Sequence, residues 1–580
     1  MRLNSYQATL YALLAICVVS VATVAIASEP VLHRPPDRDT LAEQGPPLRD
    51  APTGAEIVNP AEFCRADGLF LAWSGWGQSL IADIAFAVAE DDDVYMMVRN
   101  TSYETIAANY LSAQGVNMDN VHFIIDPAVS NTSMWIRDYG PFCVYEDGHE
   151  AIVDFYYGTY SGDDDIPETI AAHFGLPYYE SNLLHHGGNH IIDGNGMAIC
   201  SDNMYQYNPG WSEEQCRQEM KSYLGVDSLV VIEPMAGDGT GHIDMFCKLL
   251  NDTLLIVGEY ESPDDSYPGD YELLNNLAAH LDTLRNLDGR EFEVVRILQP
   301  PFTHGGPAGT INYTYTNSQI LNDKVLVPIY GFESDAEALQ LYADLMAGYE
   351  IIGIDSSFII QYWGAIHCVA NTLHSENPLV VLHEPLTVVP AGSPILVTFR
   401  INPRFAETTA ALFYRPAGDL RFTEVVATFT DGVWTATLPP MSVDFAYYVT
   451  GRAVSGDSEY PVTLPDAAPA VTFSVSVDPA TAVPDVLAAG ATLSSYPNPF
   501  NPRTTIAYDL PRPARIDLRV YDVHGRLASV LVPEQAATAG RHEIIWEGAD
   551  ESGRKLPSGV YFARLRSARQ QTTGRLVLVK

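Results

Sequence analysis

One plan recurs along the chain and limits its fold more than any other feature. It runs polar loop, strand, acidic or amide turn, second strand. Residues 142–153 turn at Glu146-Asp147-Gly148, and residues 190–200 at Asp193-Gly194-Asn195-Gly196. Residues 245–257 turn at Asn251-Asp252, and residues 319–329 at Asn322-Asp323. These are ordinary hairpin residues. The units return at intervals of roughly 45–70 residues with helical stretches between, as repeats about a pseudo-symmetry axis do. The polar loops before the hairpins are residues 135–141, 185–189, 237–244 and 314–317, with a last one, Gly364-Ala365-Ile366-His367-Cys368, before Val369. A symmetric arrangement would gather these loops at one end of a domain.

The surrounding pattern agrees with an α/β domain. Strands are expected at 68–73, 94–98 and 121–125, with helices at 80–89 and 103–114. The 580 residues exceed what one core can organise. We place the α/β domain at 61–377 and an immunoglobulin-like β-sandwich of short strands at 378–477, with Tyr447 and Tyr448 as packing residues. An Ala- and Pro-rich linker at 478–493 leads to a second small all-β module at 494–580. Ahead of the α/β domain, residues 28–60 read as an extended leader rich in Pro, Asp and Glu. Residues 1–27 read as a secretory signal peptide: Arg2, an apolar run from Leu10 to Ile26, and the small-residue close Ala25-Ile26-Ala27. No later segment has the apolar length of a membrane-spanning helix, so no span is expected in the mature protein.

The net charge of −41 disfavours nucleic acid and anionic lipid surfaces as partners, and it tolerates cationic ones. Outside the signal the cysteines are Cys64, Cys143, Cys200, Cys216, Cys247 and Cys368. They form no CxxC pair, so no metal cluster is expected, although an oxidising compartment would allow some to pair.

The polar loops carry the residues with chemistry. They supply Asp138, His242, Asp244, Asn317, His367 and Cys368, among glycines that include Gly140, Gly188, Gly241 and Gly364. Each has a plain alternative. Cys368 fits either a small buried hydrophobe or a nucleophile. His242 fits a base, a turn histidine or a metal ligand, metal being the weakest without an HExxH helix. The cluster His185-His186-Gly187-Gly188-Asn189-His190 fits a structural or substrate-lining role better than a metal site. Asp91-Asp92-Asp93 and Asp163-Asp164-Asp165 read as solvated charges without calcium-loop spacing. Arg137 and Asp138 could simply satisfy each other in a buried turn. Taken together, a thiol, a histidine and two carboxylates suit a planar cation, because a carboxylate can accept two guanidinium hydrogen bonds at once.

Trp135-Ile136-Arg137-Asp138-Tyr139-Gly140-Pro141, Gly187-Gly188-Asn189, Gly241-His242-Ile243-Asp244 and Ile366-His367-Cys368 resemble, in order, the agmatine deiminase and Porphyromonas-type peptidylarginine deiminase family. The resemblance implies a five-bladed α/β propeller, the pentein fold. It implies Cys368 as nucleophile, His242 as general acid/base, and Asp138 and Asp244 as guanidinium ligands. Asn317, Trp135 and Gly188 would line the substrate. It implies no cofactor and no metal. The expected substrates are peptidyl-arginine, giving citrulline and ammonia, or agmatine, giving N-carbamoylputrescine. A sandwich behind the catalytic domain is similar to the secreted peptidylarginine enzymes. The arginines with which that family tends to hold a C-terminal carboxylate are absent from Tyr156-Tyr157-Gly158-Thr159-Tyr160-Ser161-Gly162-Asp163. That disfavours C-terminal arginine against agmatine or internal arginine. The readings from other classes are an inactive secreted binding protein and a Cys-His peptidase.

Residues 494–580, with Tyr496-Pro497-Asn498-Pro499-Phe500-Asn501-Pro502, Pro557-Ser558-Gly559-Val560-Tyr561-Phe562 and the terminal Gly574-Arg575-Leu576-Val577-Leu578-Val579-Lys580, resemble the C-terminal sorting domain of the type IX secretion system. The resemblance implies passage across the outer membrane to the surface or medium.

Overall fold

The structure is a computed structural model that describes residues 51–160, 162–478 and most of 492–578. The expected signal peptide, the first part of the leader and the linker lie outside the described residues, as does part of the Tyr496–Pro502 motif. The chain divides into two compact units, 1–479 and 480–580.

Within the first unit, one topology recurs in five sheets. Phe142–Glu146 and His149–Tyr156 form a hairpin, and Tyr178–Leu184 adds in parallel to the second strand. Ile191–Ile192 and Met197–Ser201 take Ser228–Ile232 in the same way. Cys247–Leu249 and Leu254–Glu259 take Glu293–Leu298, and Gln319–Leu321 and Lys324–Ile329 take Glu350–Asp355. In the fifth sheet the late strand Asn371–His374 pairs antiparallel with the early strand Ala66–Ala72, which Asp93–Val98 and Val121–Ile125 extend in parallel. A helix makes each crossover to a parallel strand: Gln78–Val88 and Thr101–Ala113 in the fifth sheet, and Ile166–Phe174, Glu213–Leu224, Asp270–Leu281 and Ser334–Leu345 in the other four. Parallel pairing requires such a crossover, because a tight turn can only reverse the chain.

Local chemistry sets the boundaries. Ser212 and Gln215 close a reciprocal capping box at the start of Glu213–Leu224, and Gly225, in the left-handed region, ends that helix. Asn100 accepts from the amides of Ser102 and Tyr103, which starts the helix Thr101–Ala113 two residues before the position apolar spacing suggests.

Two expectations change. Within the leader, Ile57–Val58 is a strand on the edge of the first sheet, and Glu146 accepts from the amides of Thr53 and Gly54. The acidic runs are not simply solvated. Asp163 is fully buried and accepts from Thr132 and Ser133, while Asp91 and Asp92 pair with the buried Lys324. All six described cysteines are free thiols.

Residues 380–478 fold as two packed sheets, antiparallel except where Val388–Pro390 pairs in parallel with Phe473–Asp478, around Phe399, Leu412, Trp434, Tyr447 and Val449. Tyr447 is fully buried, and Tyr448 stacks on Phe413. Arg400 and Asn402 of this layer reach Asp252 and the Asp193 carbonyl at the hairpin turns of the α/β region. In the second unit, two sheets enclose Phe500, Ile506, Leu518, Trp546 and Leu576. No helix of the described residues is long and apolar enough to cross a membrane.

Candidate active site

Each repeat contributes at least one residue to a common point. Asp138 stands just ahead of the strand beginning at Phe142, Gly188 ahead of Ile191, and Asp244 ahead of Cys247. Asn317 precedes Gln319, and Cys368 precedes Asn371. Short helical turns hold four of the five: Ile136–Tyr139, Gly187–Asn189, Ile243–Met245 and His367–Val369. A turn this tight projects its side chain off the strand axis while leaving the following strand free to pair. Gly140, in the positive-φ region before Pro141, ends the first of them.

The side chains meet in a buried cluster: Cys368, Asp138 and Asp244 are each 1% exposed, and His242 is 2% exposed. His242 Nδ1 lies 3.4 Å from Asp138 Oδ1. Cys368 Sγ is 4.0 Å from Asp244 Oδ2, and Asn317 Nδ2 points at the same sulfur from 3.3 Å. The Cys368 amide donates to Asn317 Oδ1 at 3.4 Å. Gly188 fills the remaining side. A Cβ there would come within 2.7 Å of His242 Nδ1, 2.8 Å of Asp138 Oδ1 and 3.2 Å of Asp244 Oδ2. Trp135 is fully buried, and its ring packs over Gly364 close to Cys368. All seven residues expected at the site therefore come together.

The electrostatics are those of a site waiting for a cation. Burial pushes the Cys368 thiol well above its ordinary value, and the charges of Asp244 and Asp138 push it further. Asp244 Oδ1 is buried without a hydrogen-bond partner. A guanidinium would supply donors to the carboxylates and a positive field to the sulfur.

Beneath these residues lies a layer in which sequence reasoning missed Glu62 and Lys248 and gave His367 no role. His367 bridges Asp244 Oδ2 and Glu62 Oε2, each at 2.7 Å. Lys248 joins Glu62 to the Ser318 carbonyl. Burial alone would raise the Glu62 pKa, but Lys248, His367 and Arg137 outweigh it and hold the carboxyl well below its ordinary range. Arg137 donates to Gln319 Oε1 at 2.8 Å and to the His367 carbonyl, so it ties the first turn to the last. Glu62, Arg137, Lys248, His367 and Asp244 all line a cavity of about 80 Å³ behind the turns. Glu62 sits in Ala61-Glu62-Phe63, outside any motif, and nothing in the sequence signals it. His186 contacts His242 directly, Nδ1 to Nε2 at 3.0 Å.

Proteins to which this chain is similar are named as deiminases. The profile of the Porphyromonas-type peptidyl-arginine deiminase matches residues 59–373, more than half of the chain. A Legionella pneumophila protein named as a candidate agmatine deiminase is 26% identical, the match covering 57% of this chain and 99% of that protein. A Streptomyces coelicolor protein with the same name is 27% identical over 53% of this chain and 91% of its own length. In fold, the crystal structure of a candidate arginine deiminase from Porphyromonas gingivalis matches with a TM-score of 0.50 and 22% identity. It covers 55% of this chain and 99% of that one. The relatives are named as deiminases, which are hydrolases of C–N bonds, so the protein falls in the guanidino-modifying class. Within that class, the chain belongs to the Porphyromonas-type peptidyl-arginine deiminase family. Residues 494–580 match the secretion system C-terminal sorting domain, which implies export across the outer membrane by that machinery.

Proposed function

We propose that this is an exported deiminase that converts peptidyl-arginine to citrulline and ammonia. In this reading residues 61–377 form a five-bladed propeller whose turns meet at the catalytic point, and residues 378–477 form an immunoglobulin-like scaffold. Residues 1–27 are a signal peptide, and residues 494–580 are the sorting domain. The observation that carries the reading is the convergence of Asp138, Asp244, Asn317 and Cys368 around the gap at Gly188, with His242 on its edge.

Asp138 and Asp244 hold the guanidinium plane from two sides and leave its central carbon facing Cys368. The bound cation lowers the thiol pKa, and the sulfur passes its proton to His242. The S–C bond forms at the guanidinium carbon. His242 donates a proton to one terminal nitrogen, the C–N bond breaks, and ammonia leaves an S-alkylthiouronium. His242 then takes a proton from water as the oxygen attacks the same carbon. The C–S bond breaks, and the ureido product departs as Cys368 regains its proton. The scheme requires no cofactor.

Agmatine is the second reading. It is favoured by the absence of arginine from residues 156–163 and by the names of the relatives. The test is to incubate the purified protein with agmatine, free arginine, and peptides carrying internal or C-terminal arginine, and to measure ammonia and ureido product. Peptide turnover is expected, with a loss of about 10³-fold or more in Cys368→Ala. Exclusive turnover of agmatine selects the second reading. No turnover of any of them leaves the inactive binding protein and overturns the proposal.

A further inference from the structure

We propose that His367 is a positioning residue for this reaction: as an imidazolium clamped between Glu62 and Asp244, it fixes the Asp244 oxygen that faces the reacting point and offsets that oxygen's charge beside the sulfur. The inference rests on the deiminase reading above.

The argument starts at the two ring nitrogens. His367 Nδ1 lies 2.7 Å from Asp244 Oδ2, and Nε2 lies 2.7 Å from Glu62 Oε2. An ionised carboxylate only accepts, so a ring that serves two of them carries a hydrogen on each nitrogen. Glu62 is ionised, because Lys248, His367 and Arg137 outweigh its burial. Asp244 must be ionised to receive a guanidinium. The local charge agrees. Asp138, Asp244 and Glu62 surround Arg137, and Glu62 and Asp244 also face Lys248. Two fixed cations stand against three carboxylates, and a protonated His367 supplies the third cation. The other titratable groups near the ring add no charge. His190 and His374 line the same cavity, and burial above all pushes them down to about 3 and about 4. Cys368, the next residue, is a thiol before substrate binds, because burial and then Asp244 and Asp138 push it up.

The oxygen that His367 holds is the one at the reacting point. Asp244 Oδ2 is 4.0 Å from Cys368 Sγ, and a Cβ on Gly188 would come within 3.2 Å of it. A carboxylate oxygen has two acceptor directions, so one goes to His367 and the other remains for the guanidinium. Asp244 Oδ1 is buried without a partner, so the bond from His367 is what fixes the carboxylate. When Cys368 ionises, a second negative charge forms beside Oδ2. A cationic donor on that oxygen draws charge away from the sulfur and makes the thiolate easier to form. The ring itself is held from behind. Glu62 accepts from the Ile320 amide at 2.6 Å and from Lys248, which also donates to the Ser318 carbonyl. The His367 amide donates to the Asn317 carbonyl at 3.2 Å, and its carbonyl accepts from Arg137.

The experiment compares wild type with His367→Ala, His367→Asn and His367→Gln. It measures kcat and KM across pH on whichever guanidino substrate wild type turns over, and thermal melting alongside. The Asn amide stands where Nδ1 was and keeps a donor for Asp244. The Gln amide stands where Nε2 was and keeps a donor for Glu62. His367→Ala should lower kcat/KM by about 10²-fold, divided between a raised KM and a lowered kcat. His367→Asn should recover about tenfold of that loss, and His367→Gln less. In all three the acid limb of kcat/KM should move to higher pH, because a buried carboxylate without its cationic donor takes up a proton more readily. Wild-type kcat/KM in His367→Ala overturns the proposal. So does activity in His367→Gln that equals or exceeds His367→Asn, and so do losses that follow melting with unmoved limbs. ¹⁵N-histidine spectra of the full chain read the ring without turnover, the His367 signals being those missing from His367→Ala. A hydrogen on both nitrogens at neutral pH supports the proposal, and a ring with a single hydrogen refutes it. An inactive wild type with both hydrogens in place would defeat the deiminase reading alone.

Discussion

At Gly188 the absence of a side chain is what leaves room for a substrate. The position has no positive φ to explain its glycine; the constraint is the space between His242, Asp138 and Asp244. Gly188→Ala puts a methyl into that space, so kcat/KM should fall by about 10²-fold or more while the fold survives. Steady-state kinetics together with a near-UV spectrum check both halves. Cys368 provides a pH test. Its substrate-free pKa lies above the ordinary 9.0, so the thiol is protonated at neutral pH. Iodoacetamide should therefore label Cys368 slowly at neutral pH, with a rate still rising beyond pH 9, as peptide mapping would read. A plateau near neutrality would show that the sulfur is ionised without substrate. Asp138, His242, Asp244, Asn317 and Cys368 were legible in the sequence because each stands in a polar loop ahead of a strand. Glu62 was not, because a carboxylate between Ala61 and Phe63 gains meaning only once His367 and Lys248 fold onto it.

At the scale of elements, turns and strands from separate sheets are bound together beneath the site. Glu62 holds His367, His367 holds Asp244, and Lys248 from the third sheet neutralises the pair. The sign of the linkage is fixed. The folded pKa of Glu62 is depressed from the ordinary 4.5, so its contribution is fully present above about pH 4.5 and is lost as pH falls toward the folded value. Glu62→Gln should remove that contribution. It leaves Lys248 buried without a counter-charge, at a cost of about 3 kcal/mol. Denaturant melts at neutral pH should show the loss, and the gap between variant and wild type should narrow on acidification below pH 4.5. A gap constant with pH would place the effect elsewhere. The recurrence of the hairpins was readable because their turns use ordinary Asn, Asp and Gly signals. The edge strand at Ile57–Val58 was not. Two residues have no period, and their pairing depends on a partner that arrives at Tyr145 and Glu146.

Across residues 51–478 the sandwich and the α/β region share one unit, joined through a buried charge that both halves partner. Asp252, 2% exposed, stands in the third hairpin's turn and takes Arg290 from its own region and Arg400 from the sandwich. Asn402 adds a bond to the Asp193 carbonyl in the neighbouring turn, at 2.8 Å. These turns lie at the far end of the hairpins from the loops that carry Asp244 and Gly188. Docking therefore braces the repeats without entering the site. Removing one partner of a buried pair strands the other charge, whereas replacing the whole set with apolar groups is often close to neutral. Asp252→Ala should therefore lower stability by about 3 kcal/mol, because Arg290 and Arg400 lose their shared acceptor. Asp252→Leu with Arg290→Met and Arg400→Met should recover most of that loss. In both variants the activity of the folded fraction should stay within about twofold of wild type, since no group at the reacting point has moved. Chemical denaturation of the three proteins, with turnover measured below the transition, decides it. A stability loss in Asp252→Ala that the triple variant fails to recover would mean that the pair's geometry, and not its compensated charge, holds the sandwich to the deiminase region.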